Sequence, residues 1–267
     1  MTIPHINTDK LKTIIVQTAK SELLPYFANI AHTSKTDNSI VTAADIAAQE
    51  NITLHLKENW PNIPLLGEEM SPVEQEQLLN SDKAVWCLDP LDGTSNFATG
   101  IPYFAISLAL LCNGKTILGI VYDPIRDEYF QAQDLNNDLS VTLNDQPLNI
   151  QTNDRTLKSA MAIIDLKRLT KDMAARVASE PPYASQRNFG ASALDWCWLA
   201  ATRSHVYLHG NQNIWDYAAG ELIFRAAGGY SSTLQGEKVF KQILEKRSVV
   251  AAVDEKLFNE WFQWLEN

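Results

Sequence analysis

The segment Asp89-Pro90-Leu91-Asp92-Gly93-Thr94-Ser95-Asn96-Phe97 follows the apolar run Ala84-Val85-Trp86-Cys87-Leu88. Two carboxylates therefore stand three residues apart at the end of what reads as a strand, just ahead of a Gly-Thr-Ser turn. Pro90 fixes its own φ and biases Asp89 away from helix. The Asp89 and Asp92 carboxylates and the Leu91 carbonyl can then face one point, as hard oxygen ligands suited to Mg2+. Gly93 permits close backbone approach, and Thr94 and Ser95 add hydroxyl donors. A helix starting there would offer its free N–H groups to a phosphate. Three carboxylates elsewhere, Glu68, Glu69 and Asp216, can complete a divalent-cation site.

Taken alone, each of these residues has a plainer reading. Asp-Pro and Asp-Gly pairs are common in Asx turns. Adjacent glutamates usually form a solvated face, although Leu65-Leu66-Gly67 before Glu68-Glu69 suggests a strand end. Asp216, after Trp215 and before Tyr217-Ala218-Ala219-Gly220, reads as a helix N-cap. Asp45 closes a capping-box pattern that opens at Thr42.

The elements that must position these groups are readable from period and punctuation. Leu11, Ile14, Ile15, Thr18, Ala19, Glu22 and Leu23 mark a first helix, with Asp9 near its start. A second helix opens at Thr42 and ends at Trp60-Pro61. Runs over 104–112 and 116–122 flank Asn113-Gly114, a hairpin signal. Strands over 128–132 and 139–143 follow, with a turn at Asn144-Asp145. This half reads as two helices over a mostly antiparallel sheet. From about Gln151 strands and helices alternate: strands over 160–164, 205–208 and 249–253, helices over 169–178, 193–202, 215–227 and 257–265. Two lobes, 1–150 and 151–267, are expected to share an interface that contains the site.

The 267 residues are 45% hydrophobic and 20% charged, the profile of a globular chain long enough to bury a sizeable core. A formal charge of −10 argues against nucleic acid or an anionic membrane as the main partner. It also means that an anionic substrate needs cations at the point of contact. Cys87, Cys112 and Cys197 form no CxxC pair, so neither a zinc site nor a disulfide framework is indicated. With no signal-peptide pattern and no apolar run near the roughly 20 residues that span a bilayer, a cytoplasmic location is expected.

The joint order of the motifs resembles the inositol monophosphatase family of lithium-sensitive, magnesium-dependent phosphatases. The matching segments are Gly67-Glu68-Glu69, Asp89 to Phe97, and Trp215-Asp216-Tyr217-Ala218-Ala219-Gly220. Val41-Thr42-Ala43-Ala44-Asp45, with Lys35 upstream, fits the family's N-terminal segment, and Arg187-Asn188-Phe189-Gly190-Ala191-Ser192 fits its substrate-side loop. The resemblance implies an αβαβα layered sandwich. It also implies a first Mg2+ on Glu68, Asp89 and the Leu91 carbonyl, a second on Asp89, Asp92 and Asp216, and a looser third near Glu68. Glu68 and Thr94, with Asp45 behind Thr94, would activate water for in-line attack. Gly93, Thr94 and Ser95 would hold the phosphate, and Gly190, Ala191, Ser192, His209 and Asp216 would contact the rest of a small phosphorylated substrate. A homodimer and lithium inhibition are further expectations of the resemblance.

Departures fall on the substrate side. His209 stands where inositol-specific members carry a glutamate, and Ala191 where threonine is common. Histidine cannot reproduce a carboxylate's pair of acceptors, so sugar bisphosphates and nucleotide 3′-phosphates remain as alternative substrates. His209 has a second reading as a loop residue without a ligand. The Asp-x-x-Asp spacing disfavours an aspartyl-phosphate mechanism, which uses Asp-x-Asp. An EF-hand fails because its third and twelfth positions would be Leu91 and Gly100. A catalytically silent binding or regulatory homologue is the remaining class.

Overall fold

A computed structural model describes residues 5–28, 32–34, 40–68, 70–81, 83–135, 138–151 and 154–266; Lys35 and Glu69 lie outside them. In chain order the elements are α1 (Thr8–Thr18), β1 (His32–Ser34), β2 (Ile40–Thr42), α2 (Ala43–Asn59), β3 (Leu65–Gly67), α3 (Pro72–Leu79), β4 (Val85–Asp92) and α4 (Thr94–Thr99). A meander follows: β5 (Ala105–Cys112), β6 (Lys115–Asp123), β7 (Glu128–Leu135), β8 (Asp138–Leu143) and β9 (Gln146–Pro147). The rest comprises β10 (Met161–Asp165), α5 (Lys171–Ser179), β11 (Ser185–Arg187), α6 (Ser192–Ala200), β12 (Val206–Gln212), α7 (Ile214–Ala226), β13 (Tyr230–Ser232), β14 (Arg247–Ala252) and α8 (Glu255–Glu266).

Strands β3 to β9 form one sheet in sequence order, in which β3 and β4 are parallel and the remaining pairs antiparallel. The second sheet has the order β11-β10-β12-β14-β13, with β10 parallel to both its neighbours. Alternation along β4 shows why its sequence is apolar throughout. Trp86 and Leu88 pack with Leu11, Ile15, Ile52 and Leu56 of α1 and α2, while Val85 and Cys87 face α6 and α7. A strand covered on both faces needs no polar face. Trp196, Tyr217 and Phe224 of the α6–α7 layer share a core with Ile163, Tyr207 and Ala251 of the second sheet. Val177 of α5 and Leu257, Trp261 and Leu265 of α8 cover that sheet's other face. The layers are thus αβαβα, as the family resemblance implies. No described helix is long and apolar enough to cross a membrane.

Local signals hold closely. Thr42 caps α2 in a two-way capping box with Asp45, and α2 ends at Asn59 before Trp60-Pro61. Asn113 and Gly114 have φ of 52° and 70°, and Asn144 and Asp145 of 48° and 64°, the left-handed backbone that tight hairpins demand. The first helix departs from expectation. Its cap is Asn7, and after Thr18 it widens into a π turn over Ala19–Leu23. Pro25, which has no N–H to continue the ladder, follows directly. Helix α3 and the short edge strands β11 and β13 add to the elements read from sequence.

The backbones of β6 and α7 approach each other at Gly119, where an added Cβ would lie 2.7 Å from the Ala219 carbonyl oxygen and 3.0 Å from its Cα. Backbone cannot swing aside as a side chain can. Gly119→Ala is expected to cost about 1–3 kcal/mol of stability, read from the urea unfolding midpoint. An unchanged midpoint would show that α7 is not seated this tightly.

Candidate metal and phosphate site

The chemistry-bearing residues collect at the carboxyl ends of parallel strand pairs. Glu68 follows β3, Asp89 and Asp92 end β4, Asp165 closes β10, and His209 lies near the end of β12. Ligand sites of α/β sheets form at such ends. They open on a cavity of about 180 Å³ that Glu68, Asp89, Leu91, Asp92, Gly93, Thr94, Ser95, Gly190, Ser192, His209 and Asp216 line together. Ala191 does not line it. Its side chain is buried under the loop, against Gly93. Asp45 sits behind Thr94 rather than in the cavity wall.

A β-bulge aims the two aspartates. Asp89 pairs with Ser107 and Asp92 with Ala105, so three steps along β4 oppose two along β5. Residues three apart in a regular strand point to opposite faces; one extra residue returns them to the same side. Strand β12 carries the same device, with His209 opposite Val249 and Gln212 opposite Arg247.

Each carboxylate is held by its own donors. Asp89 Oδ1 accepts from the Leu91 N–H at 3.0 Å. Asp92 accepts from the Ser192 and Ala193 N–H groups at 3.1 and 2.7 Å, capping α6 from across the sheets. Asp216 is not the N-cap but the third helical residue. It accepts from the N–H of the actual cap, Asn213, at 2.8 Å. Gln75 of α3 donates to the Gly67 and Glu68 carbonyls at 2.8 and 3.3 Å, fixing the turn that presents Glu68. Thr94 Oγ1 lies 3.0 Å from both Asp45 Oδ1 and the Leu91 carbonyl. Gly93 joins β4 to α4 at φ 92°, which a residue with Cβ adopts only under strain.

Burial raises the affinity of these acids for protons, and their mutual repulsion adds to it. Asp89 is pushed well up, by burial and then by Glu68, Asp92 and Asp216. Asp92 is pushed to about 8 and Asp216 to about 7, burial leading in both. Burial also raises Asp45, against the hydrogen bonds from Thr42 and Thr94, leaving it a better acceptor for the Thr94 proton. Four neighbouring carboxylates with only oxygen donors match a hard divalent cation, which would remove the repulsion. Among the described residues no three acidic, histidine or cysteine side chains already close into a compact ligand set.

His209 is a strand residue facing the cavity, 4% exposed, not a loop residue. Its Nδ1 accepts from the Asn211 N–H at 3.1 Å, which leaves the proton on Nε2, 3.7 Å from Asp165 Oδ2. Burial, with the charges of Arg168 and Lys246, lowers its pKa to about 3, so it is neutral. Asp165, Arg168, Asn188, Asp195, Asn211, Asn213 and Lys246 also line the cavity. Asp195 carried a signal, as a lone acid in the otherwise apolar helix over 193–200. Asp165 and Asn211 sit at or near strand ends and the remaining residues in the segments that follow or precede strands, where no periodic pattern marks them.

The sequence of the whole unit settles its kinship, because residues 7–263 match the model of the inositol monophosphatase family. The chain belongs to that family. It is 35% identical over 209 residues to Nus factor SuhB of Pasteurella multocida, covering 76% of this chain and 75% of the relative. To inositol monophosphatase 1 of Solanum lycopersicum it is 33% identical over 207 residues, 75% and 74% of the two chains. The crystal structure of extragenic suppressor protein SuhB from Bartonella henselae superposes with a TM-score of 0.82 at 28% identity, covering 97% and 98%. Membership makes a small phosphate compound the general kind of substrate and metal dependence the family's general habit.

The carboxylate cluster has a thermodynamic signature. In the folded chain Asp92 and Asp216 keep protons that the unfolded chain releases near its ordinary value of 3.8. Their stabilising contribution is full below that value and is lost as pH rises toward about 8. In EDTA the melting temperature should therefore fall between pH 5 and 8. Saturating Mg2+ should restore it far more at pH 8 than at pH 5. An Mg2+ effect independent of pH, measured by calorimetry, would contradict this placement of the acids.

Proposed function

We propose that the protein is a magnesium-dependent phosphatase of small phosphomonoesters, with inositol 1-phosphate or a similar polyol phosphate as the type substrate. One observation carries this reading: Glu68, Asp89, Asp92 and Asp216 face the same cavity as Thr94, whose hydroxyl meets Asp45 at 3.0 Å. Glu68, Asp89 and the Leu91 carbonyl would hold one Mg2+, Asp89, Asp92 and Asp216 a second, and a third would sit near Glu68. Bound magnesium supplies a Lewis acid that acidifies water and neutralises phosphate charge. Asp45 accepts the Thr94 hydrogen bond, so that the polarised Thr94 oxygen can with Glu68 accept from and orient the attacking water in line with the ester bond. The proton the water loses passes through Thr94 to Asp45. The N–H groups of Gly93, Thr94 and Ser95 bind phosphate oxygens. Gly190, Ser192 and His209 contact the leaving alcohol, and Ala191 contributes through the packing of its loop. No covalent enzyme intermediate is required. The same reading carries a cytoplasmic homodimer inhibited by lithium.

A second reading rests on relatives named Nus factor SuhB, at 35% and 34% identity. In it the chain serves as a regulatory binding protein, with or without turnover. Phosphate release from inositol 1-phosphate, fructose 1,6-bisphosphate, adenosine 3′,5′-bisphosphate and glycerol 2-phosphate, with Mg2+ and with EDTA, separates the two. Magnesium-dependent release is expected, and silence of well-folded protein would leave the regulatory reading.

Asp92→Asn sharpens the assignment. The amide keeps one oxygen for the α6 cap, so the fold should persist with a modest loss of stability. Turnover should drop beyond the about 10–100-fold that outer-shell changes cost at metal sites. Near-wild-type rates in a magnesium-saturated variant would sink the ligand assignment.

A further inference from the structure

We infer that the cavity wall formed by Arg168 and Lys246 is a subsite for a second anionic group of the substrate. The inference rests on the phosphatase reading and narrows its substrate class. Both side chains line the cavity from the same end of the second sheet: Arg168 follows β10, and Lys246 precedes β14, which runs the other way. Both are exposed residues, so neither is required by the core.

What surrounds them argues for an incoming anion. Asp165 is the carboxylate that Arg168 faces, and the chain itself occupies it. The Lys167 N–H reaches its Oδ1 at 3.0 Å and Asn188 Nδ2 at 3.5 Å, while Arg168 Nε and His209 Nε2 approach Oδ2 at 4.0 and 3.7 Å. Arg168 thus spends only its inner nitrogen on Asp165. Lys246 forms no ion pair among the described residues. His209 presents a donor where a carboxylate would present acceptors. A polyol hydroxyl is best held by paired donors and acceptors, whereas a wall of donors with two fixed positive charges suits a phosphate or carboxylate. The backbone holds Arg168 in place, because a Cβ at Gly210 would overlap the Arg168 carbonyl. The charges of both cations also reach His209, adding to the effect of its burial in keeping it neutral.

The test compares inositol 1-phosphate with inositol 1,4-bisphosphate, which differ only in the second anion. Wild-type protein should favour the bisphosphate at least about tenfold in kcat/KM, the scale of one charge-assisted hydrogen bond. In the doubly substituted Arg168→Gln/Lys246→Gln protein that ratio should fall toward one, mainly through KM. Equal efficiency of the wild type on both esters overturns the inference. So does an equal loss on both esters in the double variant, because the cations would then merely offset the acidic wall. Failure to hydrolyse either ester, together with silence on the other phosphate esters above, would overturn the phosphatase reading instead. The subsite is then judged by calorimetric binding of the same pair, where equal affinity overturns it.

Discussion

The Asp92 carboxylate joins the first sheet to the α6–α7 layer. It ends β4 of the first sheet, and its two oxygens accept the N–H groups of Ser192 and Ala193, at the start of α6. Helix α6 has no side-chain cap of its own at Ala191, so a residue about a hundred positions upstream satisfies its first amides. A negative group at a helix N-terminus is favoured, and a buried carboxylate needs such donors. Each oxygen keeps a second lone pair for a cation. Capping and ligation are therefore compatible on one side chain, and the position of any metal is tied to the position of the α6–α7 layer. The substrate-side loop is bound into the same joint. Asn96 donates to the Tyr103 and Phe189 carbonyls at 2.8 and 2.6 Å, and the Tyr103 and Phe189 rings stack at 4.8 Å.

The paired bulges show how a sheet, whose side chains alternate by rule, yields a convergent site. Without the extra residue in β4, one of Asp89 and Asp92 would turn into the apolar layers that its neighbours Trp86 and Val85 fill. Without the one in β12, the run from His209 to Gln212 would lose its phase in the same way. Gln212 points inward, accepting from Trp196 Nε1 at 3.2 Å and donating to Tyr207 Oη at 2.5 Å, while His209 faces the cavity. In both strands the irregular step costs ladder pairing and gives direction, and both fall beside the cavity.

Much of this was legible in the sequence because the signals are local. The Thr42–Asp45 capping box, the Asn113-Gly114 turn and the apolar run before Asp89 each dictate their own geometry, and the order of acidic motifs fixed the family. What escaped depends on distant partners. Helix α3 carries a Ser71–Glu74 capping box, but five of its eight residues are exposed and Leu79 is its one buried apolar side chain, so it shows little apolar stripe. Asp216 reads as a cap until Asn213 is seen to take that place, moving the carboxylate one turn inward. Ala191 reads as a contact residue from its motif, although only packing reveals that its side chain turns under the loop. Arg168 and Lys246 gave no sign, since nothing in a loop sequence tells which cavity it borders.

Taken together, the cavity is polarised. One wall carries carboxylates that burial and mutual repulsion make reluctant to ionise, and the other carries exposed cations and amide donors. The two walls offset each other only in part: burial keeps Asp216 raised to about 7 although Lys246 and Arg168 oppose the rise. A ligand set of this kind binds weakly to a neutral molecule and strongly to one that brings positive charge to the first wall and negative charge to the second. A divalent cation with a phosphate ester meets both demands at once. Each alone would leave one wall's charge uncompensated, so the two should bind with positive coupling, the cation raising the affinity for the ester and the ester that for the cation by the same factor.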